Sequence, residues 1–155
     1  MTYKIFVYLS LFAISCYAAE RPERNRFWAD PIQTRIAETT DELNDAYRIK
    51  SNIYKQLLKR GIKAESAQGG SITIQPAKIA DHPGFKIGTI EEIPNAVAQS
   101  IEADPSLSSH ARAISSLVET FFHNSQAILI LNMEIDELNQ SYKKYKKPAL
   151  RHPTT

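Results

Sequence analysis

The sequence predicts a mainly α-helical fold: an antiparallel hairpin of two long helices, or a small helical bundle, with a short irregular or β-hairpin insertion. All five glycines fall within 61–88, and no proline lies within 33–75 or 106–147. Glycine and proline interrupt regular structure, so the chain divides into helix, irregular middle and helix. On both sides of the middle, apolar residues return every three or four positions, as in amphipathic helices.

The composition is that of one folded domain. Of the 155 residues, 43% are hydrophobic and 23% are charged, which argues against wholesale disorder and against a polytopic membrane protein. The formal net charge is only +2, and nothing in it calls for a nucleic-acid partner. The single cysteine, Cys16, excludes an intramolecular disulfide and any cysteine-based zinc or iron–sulfur site.

Residues 1–19 have the order of a secretory signal peptide: a basic start with Lys4, an apolar run over 5–13, and then small residues. The apolar run is shorter than the roughly 20 residues that a spanning helix needs. We therefore expect a cleaved signal and a secreted or periplasmic protein. A lipoprotein with Cys16 lipidated, or a retained membrane anchor, is less favoured. The mature chain, 20–155, is predicted to be a single helical domain with a basic lead at 20–29 and a tail at 148–155.

The first long helix is predicted over 31–60. Asp30 can cap free backbone N–H groups, and Pro31 suits the first helical position. Gly61 follows two basic residues and is expected to adopt the left-handed conformation that ends helices. Tyr47 and Tyr54 flank the apolar stripe. The stripe consists of Ile32, Ile36, Leu43, Ala46, Ile53 and Leu57.

The second long helix is predicted over 105–147, opened by Asp104 and Pro105 and closed before Pro148. Its apolar residues follow a heptad repeat for more than five heptads, which is typical of a coiled coil. One set of core positions is Leu107, Ile114, Phe121, Ile128, Ile135 and Tyr142. The other set is His110, Leu117, Asn124, Leu131, Leu138 and Tyr145.

The insertion, 61–104, contains an alternating segment over 71–75 that could pair with 62–67 through a turn at 68–70. Residues 85–87 could add a third strand, and an ordered loop with apolar anchors explains the same pattern. A short helix over 94–103, carrying Val97 and Ile101, is expected to cover part of the stripe of the second long helix.

Two features of the second helix predict contacts with another chain. A polar Asn124 in the seam can fix register and partner number. The adjacent apolar residues Ile128, Leu129, Ile130 and Leu131 point around the whole helix, so a two-helix hairpin cannot cover them all. Either this section lies inside a bundle of three or more helices, or it is an interface with another protein or a second copy.

The C-terminal end of the second helix is basic and aromatic. Its residues are Tyr142, Lys143, Lys144, Tyr145, Lys146 and Lys147. Cations at a helix C-terminus are favoured by the helix dipole, and this alone explains the pattern. The functional interpretation is contact with an anionic membrane or cell-wall surface.

No catalytic residue, metal ligand or cofactor is predicted. His110 and His123 lie about 140° apart around the helix, so they cannot share a metal ion. We expect His110 to be partly buried and hydrogen-bonded. No nucleophile elbow, phosphate loop, zinc-protease or dinucleotide motif occurs in the sequence.

These observations favour an exported, non-enzymatic interaction protein that acts through coiled-coil helix contacts. It would be an envelope or secretion-system accessory, or a secreted effector. The alternative is a peripheral binder of anionic surfaces that uses the basic aromatic end. A third hypothesis is an enzyme with an unrecognised site within 61–104.

Overall fold

The computed structural model describes the backbone of residues 24–146 and the side chains of 30–67 and 69–146. The predicted signal peptide, the tail at 148–155 and Lys147 lie outside this range. The elements in order are α1 Arg24–Lys59, β1 Ile62–Ser66, β2 Ile72–Pro76, β3 Phe85–Ile87, α2 Ile93–Ala103 and α3 Ala111–Lys146. The predicted fold class, mainly α with a short β-hairpin insertion, is confirmed.

The first helix begins earlier than predicted. α1 starts at Arg24, and Pro31 lies inside it instead of at its first position. Asp30 is consequently a helical residue, whose carbonyl accepts a 3.0 Å hydrogen bond from the Thr34 hydroxyl. The prediction was wrong here because proline removes one backbone N–H and bends a helix without always ending it. The other end lies within one residue of the prediction: α1 ends at Lys59, and Gly61, two residues later, has the expected positive φ, of +84°.

The start of the second long helix is a 3₁₀ segment, Pro105–His110, which leads into α3. Asp104 caps it as predicted, since its carboxylate accepts hydrogen bonds from the Ser106 backbone N–H at 3.1 Å and hydroxyl at 2.6 Å. The Ser106 hydroxyl bond, followed by the backbone bond, lowers the pKa of Asp104. A tight 3₁₀ turn is common at a helix N-terminus, where serine side chains compete for backbone groups.

The three strands form one antiparallel sheet in the order β1-β2-β3. Ala64 is opposite Ile74, and Ile74 is opposite Phe85 on the other side. Alternate residues point to the same face, so one face of the sheet is apolar and buried. Its buried members are Ile62, Ala64, Ile72, Ile74 and Ile87.

The chain divides into two compact units. Thr39–Glu134 contains the sheet, α2 and the adjoining parts of α1 and α3, and it has one apolar core built from all of them. The other unit comprises, within the described range, residues 24–38 and 135–146, where Ile32 and Leu138 are buried.

Within Thr39–Glu134, α1 and α3 are antiparallel. The Thr39 hydroxyl donates a 3.5 Å hydrogen bond to Glu134, and the Lys50 ammonium lies 5.4 Å from the centroid of the Phe121 ring. Residues later in α1 therefore lie beside residues earlier in α3, so the two helices run in opposite directions. Val97 of α2 belongs to the same core, to which α1 and α3 also contribute. That the short helix covers the stripe of α3 stays a prediction.

The buried side of α3 includes most of the first predicted set of heptad positions but little of the second. The first set of heptad positions is buried at Ile114 and Phe121, but His110 of the second set is exposed and Asn124 is only half-buried. The prediction that His110 is partly buried was wrong. Val118 and Ser125, one position after Leu117 and Asn124 of the second set, are buried, and so is Phe122. One position is a rotation of 100° around the helix, so the second buried row of α3 lies beside the predicted one. The core on that side contains the sheet as well as helices.

Candidate binding surfaces

A groove of about 280 Å³ opens between α1 and β1, with Phe121 of α3 beneath it. We call this the aromatic groove. Four of its residues come from one face of α1, where positions three and four apart are neighbours. Those four are Tyr47, Lys50, Ser51 and Tyr54, and β1 adds Ala64 and Ser66.

Among the described residues, Lys50 is the only cation that lines the aromatic groove. Its ammonium faces the Phe121 ring at 5.4 Å, a distance at which a cation is attracted to the ring face. Partial burial removes water from the ammonium and lowers the pKa of Lys50. No carboxylate of residues 30–67 or 69–146 forms an ion pair with it, so the groove has an uncompensated positive charge.

The β1 wall of the groove is fixed to α3 by two hydroxyl groups. The Oγ atoms of Ser66 and Ser125 are 2.9 Å apart, within hydrogen-bond distance, and Ser125 is buried. This bond holds the end of β1 against the helix that carries Phe121. The geometry of the groove is therefore set by the packing of three elements.

A second surface is apolar and lies on α3. Ile130 is 47% exposed and Met133 is 56% exposed, and Ala127 precedes them by one turn on the same side of the helix. We call Ala127, Ile130 and Met133 the α3 apolar face. Residues three apart are neighbours on a helix surface, so these three side chains form one continuous stripe.

The predicted interface residues are distributed around α3. Ile128 is buried, Leu129 and Leu131 are half-buried, and Ile130 is exposed. Asn124 is half-buried, and its Oδ1 atom is buried without a hydrogen bond from the part of the chain that the structure describes. Their role in an interface stays a prediction. Sequence reasoning missed Met133, which the spacing of three from Ile130 could have revealed.

The basic end has three exposed lysines within the described range: Lys143, Lys144 and Lys146. Tyr142 and Tyr145 are half-buried, and the Lys146 ammonium lies 5.3 Å from the Tyr142 ring centroid. Cation–ring contact of this kind needs no external ligand. Binding to an anionic surface stays a prediction.

Comparison of this chain with protein-family models, with curated proteins and with solved structures gives no match.

A second groove, of about 320 Å³, lies within the insertion between β3 and α2. Its carboxylate, Glu92, accepts hydrogen bonds from the backbone N–H groups of Gly88 at 2.6 Å and Thr89 at 3.2 Å. The Gly88 bond, followed by the Thr89 bond, lowers the pKa of Glu92. The Glu92 carboxylate completes a capping box at the start of a 3₁₀ turn, so its role here is to stabilise the fold. An enzyme site within 61–104 stays a prediction.

Among the side chains of residues 30–67 and 69–146, no three histidine or acidic groups come together in a way that could hold a metal ion. His82 accepts a 3.0 Å hydrogen bond at Nδ1 from the Gly84 backbone N–H, which stabilises its own turn. None of the helices in this range combines the length and apolar character needed to cross a bilayer.

Proposed function

We propose that this protein is an exported interaction protein that binds a helix of another protein chain through the α3 apolar face. The observation that carries the proposal is the exposure of Ile130 and Met133 side by side on one turn of α3. Export is supported by the signal-peptide pattern of residues 1–19. An envelope or secretion-system accessory and a secreted effector both fit this role, which requires no catalysis.

The α3 apolar face has the form of a helix-docking stripe. Single exposed apolar residues are ordinary on protein surfaces, but a contiguous group marks an interaction site. Half-buried Leu129 and Leu131 border Ile130, so a partner helix laid along the stripe would also cover the edges of these side chains. An amphipathic partner helix would supply apolar side chains at a spacing of three and four residues.

Photo-crosslinking of variants in their native compartment tests the proposal. A photoreactive amino acid replaces Met133 in one variant and Asn52, which is exposed on α1, in a matched control. We expect a discrete cross-linked product from position 133 and not from position 52. We expect this product to be lost when Ile130→Glu is added. A product of twice the chain mass would identify the partner as a second copy.

Two results would contradict the proposal. One is the absence of any discrete product from position 133. The other is a product that is unaffected by Ile130→Glu, because a charge at the centre of an apolar interface is strongly unfavourable.

The alternative is peripheral binding to an anionic membrane or cell-wall surface. The exposure of Lys143, Lys144 and Lys146 favours it, because each lysine close to an anionic membrane contributes about 1 kcal/mol. Co-sedimentation with vesicles rich in phosphatidylglycerol tests it. We expect binding at low salt that weakens when the three lysines are changed to glutamine, with Lys55→Gln and Lys59→Gln as the control. Absence of binding at low salt would dismiss this alternative.

A further inference from the structure

The floor and the walls of the aromatic groove differ in what they offer to a ligand. Phe121 and Ala64 are buried and belong to the apolar core, so they form a closed floor. The α1 wall is more accessible: Tyr47 is 49% exposed, Ser51 is exposed and Tyr54 is half-buried. A molecule in the groove would therefore lie on an apolar floor and contact side chains of α1.

The donor groups of the α1 wall are not used within the described part of the chain. The Lys50 ammonium lies over the Phe121 ring and forms no hydrogen bond or ion pair with any described residue. Partial burial lowers the pKa of Lys50, and no described carboxylate is close enough to offset this effect. The hydroxyl groups of Tyr47, Ser51 and Tyr54 likewise have no described partner. One cation and three hydroxyl groups can therefore bind an anion.

Tyr47 and Tyr54 lie on either side of Lys50 along α1. Seven residues of an α-helix correspond to nearly two whole turns and a rise of about 10 Å, so the two tyrosines start from the same side of the helix. Paired aromatic rings have centroids about 4.5 to 7 Å apart. The spacing of the tyrosines thus leaves room for one further ring at contact distance from both, beside the Lys50 ammonium.

The size of the groove limits its occupant. Its volume of about 280 Å³ is slightly below the roughly 300 Å³ at which pockets for drug-sized molecules begin. A single ring with a short polar chain suits this volume. The β1 side of the groove offers no open backbone to an extended peptide, because Ala64 is buried. A small free molecule therefore fits the groove better than a segment of a protein.

We propose that the aromatic groove binds a small monocarboxylic acid that carries one aromatic ring. The ring lies between Tyr47 and Tyr54 over the apolar floor, and the carboxylate accepts hydrogen bonds from the Lys50 ammonium and the Ser51 hydroxyl. Charge complementarity selects the acid, since an amide or amine of the same shape leaves the partly dehydrated ammonium without compensation. The groove lies on α1 and β1, so this inference goes beyond the proposed role of the α3 apolar face.

Titration of phenylpropionate into the purified full chain tests the inference. Three related compounds separate the contributions. Phenylpropionamide has the same shape without the charge, and propionate has the charge without the ring. Acetylated glycyl-phenylalanine with a free carboxyl group represents the C-terminus of a protein. Calorimetry measures the affinities, and NMR follows the amide signals of the isotopically labelled chain.

We expect phenylpropionate to bind with a Kd below about 1 mM, as is usual for a fragment-sized ligand in a small site. It should bind at least about tenfold more tightly than phenylpropionamide, because a charge-assisted hydrogen bond is stronger than a neutral one. It should exceed propionate by a similar factor, because propionate makes no ring contact. The largest amide shifts should occur at Lys50, Ser51 and Ala64.

Three lysine variants test the charge. Lys50→Met nearly keeps the length of the side chain and should abolish the preference for the acid over the amide. Lys50→Arg keeps a cation at this position and should retain the preference. Lys55→Met, at an exposed position of the same helix outside the groove, should leave it unchanged.

A matched pair of variants tests the ring contact separately. Tyr47→Ser removes an exposed aromatic ring from the groove wall, and Ile49→Ser removes a similarly exposed apolar side chain of α1 that does not line the groove. We expect Tyr47→Ser to weaken phenylpropionate binding by about fivefold or more, since both ring contact and buried apolar area are lost. Ile49→Ser should have no effect on the affinity.

Four outcomes would overturn the inference. The first is a Kd for phenylpropionate weaker than about 1 mM. The second is equal binding of phenylpropionate by Lys50→Met and the wild type. The third is the dipeptide binding at least about tenfold more tightly than phenylpropionate, which would assign the groove to a protein C-terminus. The fourth is a set of shifts centred on Lys143, Lys144 and Lys146. None of these outcomes affects the cross-links expected from position 133, so failure of this inference and failure of the proposed function are distinguishable.

Discussion

The side-chain amide of Gln126 donates a 2.8 Å hydrogen bond to the carbonyl oxygen of Gly70 and so attaches the β-hairpin turn to α3. Gly70 has a φ of +77°, a conformation that costs other residues free energy. A Cβ atom at Gly70 would lie 2.7 Å from Gln126 Nε2. A side chain at this position is therefore opposed by the backbone conformation, and it would displace the amide of Gln126.

Gly70→Ala is expected to lower the free energy of unfolding by about 2 to 3 kcal/mol, because a left-handed alanine costs about 1 to 2 kcal/mol and displacement of the Gln126 amide breaks its hydrogen bond. Gly69→Ala is the matched control. Gly69 also has a positive φ, of +75°, but nothing lies within 4 Å of its added Cβ. Urea unfolding measures both. Equal losses of stability in the two variants would show that the approach of Gln126 is unimportant.

Phe121→Ala is expected to lower the free energy of unfolding by about 3 to 5 kcal/mol, the range for an aromatic residue removed from a core. Phe121 is among the largest fully buried side chains of the described range. Met133→Ala removes an exposed apolar side chain from the same helix and should change stability by less than about 0.5 kcal/mol. Thermal and urea unfolding measure the difference, and similar effects of the two variants would contradict the placement of the core.

Asn124→Leu is expected to stabilise the chain by about 1 kcal/mol, because it removes a buried acceptor that has no hydrogen-bond donor in the described range. Asn132→Leu is the control, since Asn132 donates a 2.9 Å hydrogen bond to the Ile128 carbonyl. The change at 132 should be neutral or destabilising. If Asn124 instead fixes an interface, light scattering will show a change in molecular mass in Asn124→Leu, and the gain in stability will be absent.

The hydrogen bonds of the Glu92 carboxylate make the free energy of unfolding rise with pH in the acid range. Its pKa is lower in the folded chain than the ordinary 4.5, since the carboxylate accepts the Gly88 and Thr89 N–H bonds. The unfolded chain then binds more protons, so this stabilisation is present above about pH 4.5 and is lost as pH falls through the folded pKa.

Glu92→Gln should therefore have a lower Tm than the wild type near neutral pH, and the two curves should converge on acidification. The neighbouring Glu91→Gln removes a charge without removing these two hydrogen bonds and is the control. Thermal unfolding followed by circular dichroism across the acid range measures all three proteins. A constant Tm difference between Glu92→Gln and the wild type at every pH would contradict the capping role.

The order of elements could be predicted from sequence because it depends on local signals. Asp104 caps a helix with its own carboxylate, and Gly61 ends α1 with its own backbone. The start of α1 was missed because the local preference of Pro31 was given more weight than the continuity of the helix. On α3 the first set of heptad positions was predicted correctly, but Val118 and Ser125 are buried one position after the second set, since heptad spacing does not show where a sheet will pack.

The aromatic groove could not be predicted, because its residues come from three distant segments. Tyr47 and Tyr54 were seen to flank an apolar stripe, but their neighbour across the groove depends on how β1 packs. Lys50 lies between the buried Ala46 and Ile53 in the sequence of α1. A lysine at the border of an apolar stripe was the available signal, and long lysine side chains commonly extend from such borders to water.

The antiparallel pairing of α1 with α3 has a consequence for the folding pathway. Thr39 and Glu134 are 95 residues apart, whereas Ala64 meets Ile74 across a short turn. Contacts between distant residues carry a larger loop-closure cost, so we expect the hairpin to be organised in the transition state and the Thr39–Glu134 contact to form later. Hairpin substitutions should then slow refolding, and Thr39 substitutions should mainly accelerate unfolding, when both rates are followed by stopped-flow mixing.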